Sequence, residues 1–242
     1  MIDRNVLLKA IYKHSYLATY QIKNLLEADN KEAQAISTAI SRMLDDKLIN
    51  FVQNESNKKK FYYVTTRGAR ELGIDIKRIK TPNAQQVKSN HEDIIIKTLV
   101  TLKKLGQIPS DLNGFLNSYK TGREITKIYG TRMLIKRVCD LWVNQKSGKI
   151  AYEIELSPKW KARYIEIFEK LEKQYRASLA IALEMDSLKA DEWQSLVWVT
   201  NENTLNTLRN NLSVNHKFVS FEQHLLRHDS DKFSENLNSL FI

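Results

Sequence analysis

The chain has 242 residues, 42% of them hydrophobic, with 7 Gly and 3 Pro. That composition supports one large or two small packed domains and excludes collagen-like and low-complexity chains. A formal net charge of +10 favours a polyanionic partner, most simply nucleic acid. Cys139 is the only cysteine, which excludes an internal disulfide and a cysteine-rich zinc site. The opening MIDRNVLLKA lacks a signal-peptide layout and no apolar run approaches a membrane span. A soluble protein of the reducing cytoplasm, with no membrane partner, is expected.

The first 75 residues read as helices followed by a hairpin. Val6, Leu7, Ala10, Ile11 and Leu17 follow a helical spacing, and residues 18–28 give a second short helix through Ile22, Leu25 and Leu26. Asp29-Asn30 offers a cap for a third helix, in which Ile36, Ile40, Met43 and Leu44 share one face. Its opposite face carries Gln34, Ser37, Thr38, Ser41 and Arg42. Two strand-forming runs, 48–52 and 61–65, then flank a polar tip holding Lys58, Lys59 and Lys60. A last helix starts at Thr66-Arg67-Gly68. Residues 1–80 hold 15 Lys and Arg against 9 Asp and Glu, net +6, whereas the other 162 hold 23 against 19, net +4.

The order helix, helix, helix, hairpin, helix resembles a winged helix-turn-helix. Ile40, Leu44, Leu48, Ile49, Tyr63, Thr65, Gly68 and Leu72 carry the resemblance, over about a third of the chain. In that family the third helix enters the major groove of duplex DNA and the wing touches backbone. The resemblance therefore implies base-facing roles for Gln34, Ser37, Thr38, Ser41 and Arg42, and phosphate contacts for Lys58, Lys59 and Lys60. Winged helices often dimerise on palindromic sites, so a homodimer is one expected assembly.

Residues 76–90 are polar, basic and broken by Pro82, and read as a linker. A second domain, 91–242, opens with a helix from His91 to Gly106; 107–137 give only a weak helix or strand pattern. Residues 139–157 alternate apolar and polar positions around the turn QKSGK, the pattern of two strands. Ser157-Pro158 stops the second strand and a helix follows, with Trp160, Tyr164, Phe168, Leu171 and Tyr175 as its apolar stripe. Strands are expected at 178–185, 195–200 and 217–221, with a capped helix between the last two and a helical tail. His224 and His228, four apart in that tail, read as surface residues, and Trp142, Trp160, Trp193 and Trp198 as packing. Alternation of strands and helices predicts a sheet covered by helices, and the whole an α+β protein.

Three acids stud the two central strands. Glu153 and Glu155 leave one face of their strand, and in a suitable register Asp140 joins them. Cross-strand neighbours on one face stand ~5 Å apart, so three such carboxylates repel unless a cation holds them; Mg²⁺ suits their hard oxygens. The competing reading is a half-solvated sheet whose polar residues face water.

Residues 91–200 resemble the PD-(D/E)xK, restriction-endonuclease-like fold, and the whole chain resembles the replication-relaxation proteins of plasmids and other mobile elements. His91-Glu92, Arg123-Glu124, Cys139-Asp140-Leu-Trp-Val, Glu153-Ile-Glu155-Leu-Ser, Lys159, Arg163 and Tyr164 carry the resemblance. It implies metal-binding acids at Asp140 and Glu153, with Glu155 and Glu92 beside them, and Mg²⁺ or Mn²⁺ as cofactor. Glu155 stands where lysine is usual, and the resemblance lets Lys159 or Lys161, from the following segment, supply the missing ammonium. Two functions stay open: a metal-dependent DNA endonuclease or nickase, and a non-cleaving DNA-binding factor in replication, relaxation or transcriptional control, with replication or relaxation proteins as partners.

Overall fold

The computed structural model describes residues 3–55, 57–75, 82, 89–129, 139–184, 195–215 and 222–240. Helices and sheets are mixed, as an α+β chain requires. Two compact units are present: residues 1–101 with 110–116, and residues 102–109 with 117–242.

In the first unit the order is α1 (Arg4–Lys13), β1 (Leu17–Ala18), α2 (Thr19–Leu25), α3 (Asn30–Asp45), β2 (Ile49–Gln53), β3 (Lys60–Val64) and α4 (Thr66–Glu71). Helix α3 begins where the sequence indicates. The Asp29 carboxylate accepts from Glu32 N at 2.8 Å and Glu32 Oε2 accepts from Asp29 N at 3.2 Å, satisfying two donors at once. Ile36, Ile40 and Met43 are buried. The sheet order is β1-β3-β2, all antiparallel.

The link from β3 to α4 explains the Thr65-x-x-Gly68 spacing. Thr65 caps α4 by accepting from Gly68 N at 3.2 Å, and its hydroxyl donates to Lys47 O at 2.6 Å. Thr65 N also donates to Leu48 O at 3.0 Å. Gly68 then sits so close to the β2 approach that a Cβ would lie 2.1 Å from Leu48 O and 3.0 Å from Val64 Cγ1. The Thr-x-x-Gly spacing thus has a packing cause.

Helix α5 (Ser89–Lys104) starts in the first unit, whereas the sequence placed it in the second domain. Its first turn is polar for a reason. Glu92 pairs with the buried His14 at the end of α1. Asp93 accepts from Tyr20 OH at 3.0 Å and from Gln21 Nε2 at 2.7 Å. Partial burial, and then the Asp93 charge, push the Tyr20 hydroxyl up to about 12. Ile94, Ile95, Ile96 and Leu99 are buried behind these contacts. Within the expected linker 76–90, only residues 82, 89 and 90 are described.

The second unit holds β4 (Tyr119–Thr121), α7 (Gly122–Tyr129), β5 (Leu141–Gln145), β6 (Gly148–Glu155), α8 (Lys161–Glu184), β7 (Ser195–Thr200), α9 (Glu202–Asn215), β8 (Glu222–Arg227) and α10 (Phe233–Ser239); α6 (Leu112–Asn117) precedes them. Its sheet runs β4-β5-β6-β7-β8, antiparallel through β6 and parallel from β6 to β8. The expected strand pair 139–157 is β5 and β6, joined at Gln145↔Gly148. Trp142, Ala151, Leu196 and Trp198 pack one sheet face against Tyr164, Phe168 and Leu171 of α8 and Leu208 of α9. Phe168 meets the Trp198 ring edge-on at 5.7 Å.

Two segments depart from expectation. Residues 178–184, expected as strand, complete α8. The run Ser-Leu-Ala-Ile-Ala-Leu-Glu has no Gly or Pro to stop a helix already under way, and Ala, Leu and Glu favour helix. Residues 222–227, expected as helical tail, form β8 by parallel pairing with β7, so His224 lies on a strand. A partner strand overrides weak local preference there. The expected strand 217–221 and Trp193 fall outside the described residues.

Replacing Gly68 by Ala forces the new methyl into Leu48 O and is expected to destabilise the protein by about 3 kcal/mol, the upper end of ordinary overpacking costs. Urea denaturation read by circular dichroism checks it; an unchanged midpoint refutes the packing argument.

Candidate functional site

Two surfaces hold the residues singled out in the sequence. On the first unit, Gln34, Thr38, Ser41 and Arg42 are exposed on α3 and Ser37 is half-buried. Their spacing places Gln34, Thr38, Ser41 and Arg42 on one side of the helix. Three hydroxyls fold back on the helix: Ser37 Oγ donates to Ala33 O at 3.0 Å, Thr38 Oγ1 to Gln34 O at 3.1 Å, and Ser41 Oγ to Ser37 O at 3.2 Å. Their donors are spent locally, so they offer a ligand lone pairs and apolar surface. The side-chain donors of Gln34 and Arg42 meet no acceptor among the described residues. Both line a groove of about 740 Å³, with Arg4 and Lys31 beside Thr38.

The hairpin tip is fixed by its own backbone. Asn54 N donates to Lys59 O and Lys58 N to Asn54 O, each at 2.9 Å, and Lys58 takes φ +56°. Lys59 Nζ lies 4.4 Å from the Tyr20 ring centre and Lys60 Nζ 4.5 Å from that of Phe51. Lys58, Lys59 and Lys60 are all exposed, and two of the three ammoniums are directed by aromatic faces.

On the second unit, the register Leu141↔Tyr152 brings Asp140, one residue before β5, opposite Glu153. Asp140 Oδ2 accepts from Ile154 N at 2.8 Å, standing in for a strand that has ended. Glu153 pairs with Trp198 and Glu155 with Thr200 across the parallel junction, so both acids point to the face covered by α8. They are 1% and 2% exposed. The half-solvated sheet is therefore overturned: alternation on β6 does not mark a wet face, since α8 and neighbouring strands cover the positions a polar face would need.

Glu155 Oε1 is held by the Lys159 ammonium and accepts from Ser157 N at 3.3 Å. Its other oxygen, Oε2, is buried with no hydrogen-bond partner among the described residues. Tyr164 is buried nearby; burial first, and the Glu155 charge second, raise its hydroxyl above the usual phenol value. Of the two candidate lysines, Lys159 reaches the acid, while Lys161 is exposed at the first position of α8.

The remaining assignments fall elsewhere. Glu92 lies in the first unit, paired with His14, and Asp140, Glu153 and Glu155 lie in the second. Glu124 Oε2 accepts from Thr121 N at 3.1 Å at the start of α7, a structural bond. Trp160, expected within the apolar stripe of the helix, is 78% exposed. Helix α8 begins one residue after it, and the buried stripe starts at Tyr164. Trp142 and Trp198 are buried as expected. Among the described residues no three His, Cys, Asp or Glu side chains gather into a group that could hold a metal ion. No helix among the described residues is long and apolar enough to cross a membrane.

No family model, no curated protein and no solved structure matches this chain.

Truncating Lys159 to Ala strips the buried Glu155 carboxylate of its cation and should cost about 1–3 kcal/mol of stability. Adding Glu155→Gln should restore most of it, and Lys161→Ala should stay within about 0.5 kcal/mol of the parent. Urea denaturation of the double-mutant cycle reads the coupling; additive effects would show that the pair contributes nothing.

Proposed function

We propose that this chain binds duplex DNA through a winged-helix first unit. The observation that carries the reading is the exposed row Gln34, Thr38, Ser41 and Arg42 on α3, a helix whose opposite side is buried. Gln34 and Arg42 are the side chains of that row able to donate to base edges, Gln to adenine and Arg to guanine. Lys58, Lys59 and Lys60 supply phosphate contacts from the hairpin. The net charge of +10 supports the same partner. The resemblance to replication-relaxation proteins adds the setting: a plasmid or other mobile element, with replication or relaxation proteins and a second copy of the chain as candidate partners.

A second reading, that the other unit cuts or nicks DNA as a PD-(D/E)xK-like nuclease, is favoured by the geometry around Glu155. Asp140 faces Glu153 at the sheet rim, Lys159 reaches Glu155, and Glu155 Oε2 is a buried oxygen still lacking a partner. The resemblance gives Asp140, Glu153 and Glu155 to Mg²⁺ or Mn²⁺, whose hard charge suits carboxylate oxygens, although these three acids do not gather into a metal-holding group among the described residues. Such an ion supplies positive charge at the scissile phosphate and acidifies water. Glu155 occupies the position where that fold usually keeps a lysine, and Lys159, from the segment that follows, would supply the missing ammonium. The Lys159 side chain keeps 24% of its surface exposed while it pairs with Glu155.

Binding is tested by mobility shift of duplex DNA over a salt series. The triple variant K58A/K59A/K60A should flatten the slope of log affinity against log salt by about 2–3, and Arg42→Ala should relax sequence preference at a cost of about 1–3 kcal/mol. Failure to shift any duplex at low salt rejects the reading. Cleavage is tested on supercoiled plasmid with Mg²⁺, Mn²⁺ or EDTA. Metal-dependent nicking should vanish in Asp140→Ala and in Glu153→Ala; nicking that survives both variants assigns it to a contaminant or another site, and its absence from the parent leaves a binding protein alone.

A further inference from the structure

The loop between β6 and α8 displays an aromatic surface that packing does not explain. Trp160 is 78% exposed, and Ile165 is the other large hydrophobic residue exposed among the described residues, at 37%. The loop is nevertheless anchored. Asn201 Nδ2 donates to Leu156 O at 2.8 Å, tying the exit of β6 to the start of α9. Ser157 N donates to Glu155, and Trp160 O accepts from Arg163 N at 3.0 Å in the first turn of α8. An indole on a fixed loop loses little freedom when it binds a flat ligand, because most of its ordering is already done.

Its neighbours are cationic. Lys159 and Lys161 flank it in sequence, and Arg163, paired with Glu166, follows within one turn. Lys159 also touches Glu155, so the indole is one residue from the ammonium at the carboxylate site. The remaining exposed face of α8 carries Lys161, Ala162, Glu169, Lys173 and Arg176. That face carries both signs of charge and is too charged to be buried against a second copy of itself, which leaves the aromatic surface narrow, with Lys161 beside it as the cation that meets no acid among the described residues. A planar apolar group attached to an anion matches both features.

We propose that Trp160 is a stacking platform for an unpaired nucleobase of single-stranded DNA, with Lys161 and the neighbouring Lys159 facing its phosphates. Stacking is tolerant of sequence because every base has a π-face. The inference rests on the nucleic-acid reading and sharpens it: the second unit takes a flap, gap or frayed end, separately from the duplex contacts of α3. Placing an unpaired nucleotide beside Lys159 would present its phosphate to the side of the loop where Glu155 is held. Trp160 touches the base and is a binding residue.

The test uses the full chain in EDTA, so cleavage does not enter. Oligo(dT) of about twelve nucleotides is titrated against intrinsic tryptophan emission, and a hairpin duplex is titrated in parallel by mobility shift. The parent should bind the oligonucleotide with quenching. Trp160→Ala should weaken that binding about tenfold or more, while Trp160→Phe should stay within a few-fold and lose most of the quench. Duplex affinity should be unchanged in both variants, and their thermal unfolding should match the parent because the side chain is exposed. Parent-like oligonucleotide binding by Trp160→Ala, or none by the parent, overturns the proposal. A drop in molecular mass by light scattering on Trp160→Ala, with oligonucleotide binding intact, assigns the surface to self-association instead. Loss of duplex binding in the parent with retention of the oligonucleotide sinks the winged-helix reading and spares this one.

Discussion

Taking a carboxylate out of water is unfavourable unless a cation or donors replace its solvation. β6 buries Glu153 and Glu155 on a central strand bordered by β5 and β7 and covered by α8. At Glu155 part of the replacement is visible: Lys159 on one oxygen, with Ser157 N beside it, and no partner among the described residues on the other. This arrangement organises the loop that follows. Lys159 must lie close to the sheet end to reach Glu155, Asn201 fixes Leu156 from the other side, and α8 starts only at Lys161. The exposure of Trp160 follows from the same geometry, since the residue between an inward lysine and the first helical turn has no core position to fill.

Much of the fold was legible because its signals are local. Asp29 with Glu32 is a reciprocal cap, the β5–β6 turn follows from alternation around Ser147-Gly148, and the Thr65–Gly68 spacing reports a capped helix approaching a strand. What failed was non-local. Short apolar runs do not distinguish strand from helix, so 178–184 was misread while α8 simply continued. The pairing that makes 222–227 a strand lies on β7, more than twenty residues away. The polar first turn of α5 looked like the start of a new domain, yet His14, Tyr20 and Gln21 provide its partners.

The candidate sites were legible to a lesser degree. Residue type and alternation located Asp140, Glu153 and Glu155, and the register placed Asp140 opposite Glu153. Alternation could not tell whether that face is wet, because coverage by α8 depends on a crossover connection. Nor could it choose between Lys159 and Lys161. That depends on where the helix begins: a lysine before the first turn can bend back to the strand, whereas one inside it is committed to the helix surface. The spacing of Trp160 from Tyr164 points to packing, a signal that holds only while both residues belong to one helix.

On the first unit, hydroxyl donors on α3 return to the helix backbone at Ser37, Thr38 and Ser41. The exposed side-chain donors of that row are therefore those of Gln34 and Arg42, while the hydroxyl residues supply weakly polar surface. The lysine tip behaves differently. Tyr20 and Phe51 hold two ammoniums by their rings, which leaves those charges hydrated and outward. Ring contacts direct a cation without neutralising it, as a carboxylate would. A tip built this way keeps its charge for an external anion, whereas the lysine of the second unit is partly committed to Glu155. The hairpin tip thus displays its positive charge, whereas Lys159 holds its charge against a buried acid.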